Sequence, residues 1–296
     1  MKSQLKGSLL LELLVVCLLI SLFLPFLVTA LGRLQERHFL AQTYQDQRRF
    51  KAAIDAHFNA QWARLVPANC YDGSDVFLTL GSGSTKPDRL SSRVVMETSD
   101  WLKGVDYGSC RGTLTVSENP FSTTLDCHWQ AGDSITFSNC AAQFHGQVLS
   151  VTSAQTRIQL TDDTVLGQSG VLESQDGFYW YLSPGNNNGT AFWRTPEESG
   201  NSLELLNGIE RLSIFPLLDN NNDGSVDTLV TTYGDFSLKA LRGLWIEYQY
   251  VLDDCQSERG AQLEQNYLSM RGENWSYTSP CQNVGNQIIV LKGGNI

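Results

Sequence analysis

Apolar and polar positions follow three different rhythms along this chain, and each rhythm predicts a different element. From Leu9 to Leu31 nearly every position is apolar, and residues 13–32 are twenty consecutive uncharged residues, enough for a helix to cross a membrane. Beyond Arg33 the pattern turns amphipathic. Phe50, Ile54, Phe58 and Trp62 recur every four residues, with Leu65 near the same face, which predicts a helix laying an apolar stripe on a partner surface. This helix is expected to stop before Pro67, because the residue preceding a proline disfavours the helical region. Pro25, inside the apolar half, is expected to kink or locally melt it. If residues 8–66 are wholly helical they reach roughly 90 Å, at about 1.5 Å per residue.

After Cys70 the rhythm shortens to alternating runs broken by Gly, Asn, Asp and Ser: DVFLTL, GTLTVS, DSITFS, QVLSVTS, TRIQL and DGFYWYL. The clearest strand is LWIEYQYVL. It places Leu244, Ile246, Tyr248, Tyr250 and Leu252 on one face and Trp245, Glu247 and Gln249 on the other. Turn signals at 72–73, 184–189 and 223–224 separate such runs. The expected fold is α+β: a long N-terminal helix, half transmembrane and half amphipathic, packed on a predominantly antiparallel β domain. No repeat period appears, and a soft change near residues 164–172 falls short of a domain boundary.

Composition narrows the functions this layout can serve. Residues 33–66 hold six Lys/Arg against three Asp/Glu, whereas residues 67–296 hold 13 against 27. An acidic body repels nucleic-acid backbones, and Lys86, Arg89 and Arg93 read as a solvated loop rather than a phosphate-binding patch. Cys17 lies in the apolar run, and six further cysteines (Cys70, Cys110, Cys127, Cys140, Cys255, Cys281) lie beyond it. An even number there predicts an oxidising compartment with up to three disulfides, Cys255–Cys281 being the pair favoured because it closes a loop near the C-terminus. No C-x-x-C occurs and His is scarce, which argues against zinc. No G-x-S-x-G, Walker loop or H-E-x-x-H is present, so no enzymatic activity is expected. Cys127 beside His128 could suggest a thiol nucleophile, but a disulfide accounts better for Cys127. His38 and His57 read as ordinary helix residues.

One charge interrupts the apolar run. Glu12 costs roughly 2.5–3.5 kcal/mol in hydrocarbon on insertion scales, so it calls for a partner. The stretch KGSLLLEL resembles the processing site of type IV prepilins, in which a short basic leader ends in Gly and the fifth residue of the following apolar helix is Glu. The resemblance implies a leader of residues 1–7, cleavage between Gly7 and Ser8 by a membrane prepilin peptidase, and N-methylation of the new amine. It implies a filament-core helix at 8–32, a neck helix at 33–66 and a globular body at 67–296. Glu12 would then neutralise the N-terminal amine of a neighbouring subunit, an ion pair favoured over two isolated charges in low dielectric, although desolvation consumes much of the gain. The family begins its mature chain with a large apolar residue, and this chain has Ser8. Cleavage is expected to survive that difference, and methylation is left open. A secretory signal ending near Ala30 and a plain membrane anchor are the competing readings, and neither explains Glu12.

A second resemblance runs through residues 177–252. A Tyr-rich strand, an aromatic-Arg return, a G-I-E strand and an Asp/Asn/Gly loop before a last strand are similar in order to the large PilW-like minor pilins, and in general plan to the J-type minor pseudopilins of type II secretion. Residues 70–165 carry no such resemblance. The implied function is a minor pilin that primes or caps a type IV pilus, its body at the tip. Its implied partners are other minor pilins, the major pilin, the prepilin peptidase and the inner-membrane assembly platform. The implied location is the bacterial inner membrane, crossed once with the N-terminus cytoplasmic and the body periplasmic, and then the pilus. A type II pseudopilin is one alternative. A tip adhesin or DNA-uptake module is another, with Trp180 and Trp193 as stacking surfaces, although core or strand-pair packing is the default role of both rings.

DNNNDGSVD at 219–227 sets Asp219, Asn221, Asp223 and Asp227 at alternating positions with Gly224 for the tight turn, similar to the first nine positions of a calcium loop. The twelfth position is Val230 instead of a bidentate Glu, so a Ca²⁺ site here would be abbreviated. A polar hairpin turn needs the same residue types.

Overall fold

The computed structural model describes residues 5–66, 77–107, 110–125, 127–139, 141–187, 189–252 and 263–291, with side chains from Leu11 onward. A single α-helix, α1 (Leu5–Trp62), is followed by β1 (Phe77–Ser82), β2 (Asp100–Asp106), β3 (Arg111–Thr115), β4 (Phe121–Thr123), β5 (Ser134–Ser138) and β6 (Gln143–Val151). Next come β7 (Thr156–Leu160), β8 (Ser169–Ser174), β9 (Asp176–Pro184), β10 (Thr190–Pro196), β11 (Leu203–Asn207) and β12 (Ile209–Leu218). The chain continues through β13 (Thr228–Leu229), β14 (Gly234–Ser237), β15 (Leu241–Val251), β16 (Leu263–Leu268), β17 (Asn274–Ser279) and β18 (Gln282–Val290). Every strand pairing among the described residues is antiparallel, so the α+β expectation holds.

The helix does not melt at Pro25, and it ends earlier than expected. The helix runs unbroken through Pro25. A proline removes one N–H, and the turns on either side keep their own bonds. It also ends at Trp62, four residues before the expected limit. Ala63 N–H still bonds Asn59 O at 3.0 Å, but Leu65 N–H bonds Trp62 O at 3.2 Å, a three-residue spacing that tightens the chain out of the α-helix. The turn drops Leu65 into the core, where it is fully buried.

The main core is a three-way contact between the C-terminal half of α1, the six-stranded sheet β11-β10-β9-β2-β1-β14 and the four-stranded sheet β13-β12-β15-β18. The predicted stripe is the helix's contribution, with Ile54, Phe58, Trp62 and Leu65 at 0% exposure and Phe50 packed at the margin. Burial of each such side chain stabilises the fold by about 1.5–3 kcal/mol. Phe58 stacks on Trp62 at 4.9 Å and meets Phe192 edge-on at 5.0 Å, while Trp62 meets Trp180 edge-on at 6.4 Å. Polar contacts fix the register. Gln47 Nε2 donates to Pro280 O, Tyr248 OH donates to the Asp55 carboxylate, and Lys51 pairs with Asp55 at 2.6 Å. Position 104 of β2 is glycine, and a Cβ there would lie 2.9 Å from both Leu65 Cδ2 and Leu78 Cδ1, so those two side-chain ends would have to shift.

The body, which reads as one unit in the sequence, contains a second core. Strands β2 and β9 are neighbours, with Asp106 opposite Asp176, and the 69 residues between that pair form an inserted lobe. Its sheet, β3-β8-β5-β6-β7-β4, buries Phe121, Ile135, Phe137, Val148, Ile158 and Leu172 separately from the main core. The soft change near 164–172 therefore falls just before the lobe rejoins the main sheet. Cys110 and Cys127 are disulfide-bonded at the lobe's entrance.

Candidate assembly site on the N-terminal helix

The two halves of α1 have opposite surroundings. From Leu11 to His38 every residue is exposed except Ala30, which is half-buried, and burial begins only at Phe39 and Leu40. Leu11, Leu22, Phe26 and Leu34 keep 68%, 65%, 71% and 61% of their surface. Such a continuous apolar surface is far beyond what a monomeric soluble protein leaves bare, and it marks a membrane or protein contact. This helix is long and apolar enough to cross a membrane. Within the exposed run the polar groups mostly satisfy themselves: Ser21 Oγ donates to Leu18 O and Thr29 Oγ1 to Pro25 O, both at 2.8 Å. Those bonds cancel the desolvation cost of the two hydroxyls.

Glu12 is the exception. Its carboxylate is exposed and has no ion pair or hydrogen bond to any described residue. Phe39, where burial begins, lies about 40 Å further along the helix, at about 1.5 Å per residue. Among the described residues, none is a partner for Glu12. Gly7 and Ser8 lie in the first turns of α1, where the backbone is described. Cys17 is an exposed free thiol on the same run.

The 219–227 loop is tied together by hydrogen bonds. Asp219, 2% exposed, accepts from the N–H groups of Asn222 at 2.7 Å and Gly224 at 2.8 Å, and pairs with Arg242 at 2.8 Å. Burial works against its charge, but the Gly224 and Asn222 amides and the Arg242 guanidinium outweigh it, and the carboxyl titrates below its ordinary range. Asp227 Oδ2 accepts from Asn220 N–H at 2.8 Å, and Asp223 Oδ1 from Ser225 N–H at 2.8 Å. Asn222 takes a left-handed conformation (φ 66°) and its Oδ1 accepts from Arg242. Arg242 thus supplies the positive charge that a cation would, and among the described residues no group of three or more His, Cys, Asp or Glu is placed to hold a metal.

Of the cysteines, Cys281 is disulfide-bonded, as are Cys110 and Cys127, so Cys127 is no nucleophile. Cys70, Cys140 and Cys255 lie outside the described residues, and the favoured Cys255–Cys281 pairing falls there with them. Trp180 is fully buried and packs against Trp62 and Phe178, and Trp193 packs beside Leu90 and Tyr181, so both rings take the strand-packing role. Arg89 is a strap, its guanidinium donating to the carbonyls of Pro196, Glu197 and Gly200, and Lys86 donates to Arg93 O. His57 is half-buried beside Phe192, and burial, helped by Arg194, holds its pKa below the ordinary value.

One structural node has no local signature in the sequence. Among the described residues the β16–β17 hairpin pairs with no other sheet, and two buried carboxylates hold it down. Arg271, at its tip, donates to both oxygens of Asp100 at 2.9 and 2.8 Å, and its guanidinium lies 4.8 Å from the Phe215 ring centre and 4.4 Å from that of Tyr233. Burial pushes the Asp100 carboxyl up to about 6 against the opposing pull of Arg271 and the Ile214 amide. Glu247, 1% exposed, accepts from Tyr267 OH, Ser269 Oγ and the Met270 amide. The polar face of the strand LWIEYQYVL is therefore as buried as its apolar face.

No family model matches the chain, and no curated protein or solved structure does.

Proposed function

We propose that this protein is a minor pilin, processed at Gly7–Ser8 and inserted through α1 into a type IV pilus, where Glu12 neutralises the terminal amine of a neighbouring subunit. The observation that carries the reading is the unpartnered Glu12 carboxylate on a bare apolar helix whose other half is built into the body's core. An anchor needs no carboxylate, and burying one alone is costly. A bundle of pilin helices, each beginning with a fresh ammonium, would supply a counter-charge and remove the exposed apolar surface at the same time. The inserted lobe adds bulk to one side of the body, which suits the filament's tip better than its repeating shaft.

The mature N-terminus is the test. Mass spectrometry of the membrane-bound protein is expected to give a chain starting at Ser8, and loss of the prepilin peptidase is expected to leave Met1 in place. A chain that keeps Met1 with the peptidase present, or one that starts near Leu31, contradicts the proposal.

A further inference from the structure

Between the inserted lobe and the main sheet lies an open cleft of about 960 Å³, at the top of the range that ligand pockets span (about 300–1,000 Å³). One wall comes from β6 and β7 of the lobe, through His145, Gln147, Leu149 and Gln159, and the other from the start of β9 and the end of β10. We propose that this cleft binds a neutral carbohydrate. The inference is independent of the pilin reading, since the cleft lies wholly in the body.

The argument rests on which polar groups remain available. At the floor, Gln175 Oε1 accepts from Thr136 Oγ1 at 2.9 Å and lies 3.1 Å from His145 Nδ1, which fixes the amide and leaves its NH₂ as a donor pair without a partner among the described residues. Gln147 and Gln159, opposite each other on β6 and β7, make no side-chain bond to any described residue, and neither does Glu198. The other carboxylates of the lining are engaged: Glu197 pairs with Lys103, Asp133 accepts from Gln130 N–H at 2.6 Å, and Asp176 has a partner. The free set is therefore the amides of Gln147 and Gln159, the NH₂ of Gln175, the hydroxyls of Ser134 and Ser199, the second imidazole nitrogen of His145 and the Glu198 carboxylate.

Amides present donors and acceptors side by side in one plane, which matches the vicinal hydroxyls of a sugar, each both donor and acceptor. Leu149, 42% exposed, offers apolar surface to the C–H face of a ring. An apolar ligand would leave the amides unpaired on burial. An anion would meet Glu198 and no lining Lys or Arg. A basic peptide would meet the charged Asp133 and Glu198, a reading that heptalysine tests directly.

The test uses the full chain in a detergent without a sugar headgroup, titrated calorimetrically with maltohexaose, cellohexaose and chitohexaose, with heptalysine and a heparin hexasaccharide as charged probes. At least one neutral oligosaccharide is expected to bind at about millimolar strength or tighter, unaffected by salt. Joint Gln147→Ala and Gln159→Ala substitution is expected to weaken it about tenfold with the melting temperature unchanged, since both side chains are exposed and unbonded. The proposal is overturned if no neutral probe binds at about 10 mM, if the double variant binds as well as the wild type, or if only a charged probe binds with an affinity that fades in salt.

Discussion

The two halves of α1 share one continuous helix and differ in almost everything else. The half from Ile54 to Trp62 is buried against two sheets, and its polar residues Asp55 and Gln61 each meet a body residue. The half from Leu11 to Leu34 is more apolar and touches nothing in the described chain. Hydrophobicity alone therefore does not fold this helix into its body; periodicity does. A stripe repeating every three to four residues has one side to bury, and a helix apolar all round needs surroundings on every side. Among the described residues nothing provides those surroundings, and the proposed filament would supply both them and a positive charge for Glu12.

Substitutions can break this comparison. Glu12→Ala is expected to leave an ammonium buried and unpaired in the filament, a penalty of about 3–5 kcal/mol that converts to a loss of about 100-fold or more in incorporation. Sheared pili probed by immunoblot read that loss, and the body's melting temperature should stay put. Phe58→Ala, in the buried half, is expected to do the reverse. It should cost about 3–5 kcal/mol of stability by opening a cavity between Trp62, Phe192 and Tyr248, measured by denaturant unfolding in micelles.

Asp100→Asn tests the hairpin clamp. The amide keeps the shape of the carboxyl and holds it neutral, the form that burial favours at this site. The pH dependence has a definite sign. Burial raises the folded-state pKa to about 6, so between about pH 4 and 6 the folded form holds a proton that the unfolded form has lost. This group therefore costs stability above pH 6 and is relieved as pH falls. The stability of the wild type relative to Asp100→Asn should rise from pH 7 to pH 4, by about 2–3 kcal/mol in parallel melts. The smallest effect belongs to Leu22→Ala on the bare half, which should change unfolding of the body by less than about 0.5 kcal/mol. A larger change would mean that the exposed half packs on the body after all.

Legibility in the sequence followed the range of the interactions. The helix stripe, six short strands and the buried face of LWIEYQYVL are periodic patterns within ten residues or so, and all appear where they were expected. The inserted lobe was hidden because its strands alternate like those of the main sheets, and nothing local tells which core a strand will enter. The pairing of Asp106 with Asp176 is a long-range event. Asp100 and Arg271 are 171 positions apart, and neither sits in a motif. The Asp219 loop is ambiguous in the opposite way. Its residue types fit a metal loop and a turn alike, and nothing local announces that Arg242, 23 residues on, pairs with Asp219. Glu12 stood out from the start because a single charge inside an apolar run is a local contradiction.

The most direct probe of what surrounds the bare half is a photo-crosslinking residue in place of Val16, one helical turn beyond Glu12 and on the same side of the helix. Irradiated pili should yield an adduct joining this position to the N-terminal peptide of another subunit, identified by mass spectrometry, with Glu12 itself intact. Adducts to lipid alone, in a sample where the protein is demonstrably in filaments, would contradict the pairing on which the assignment rests.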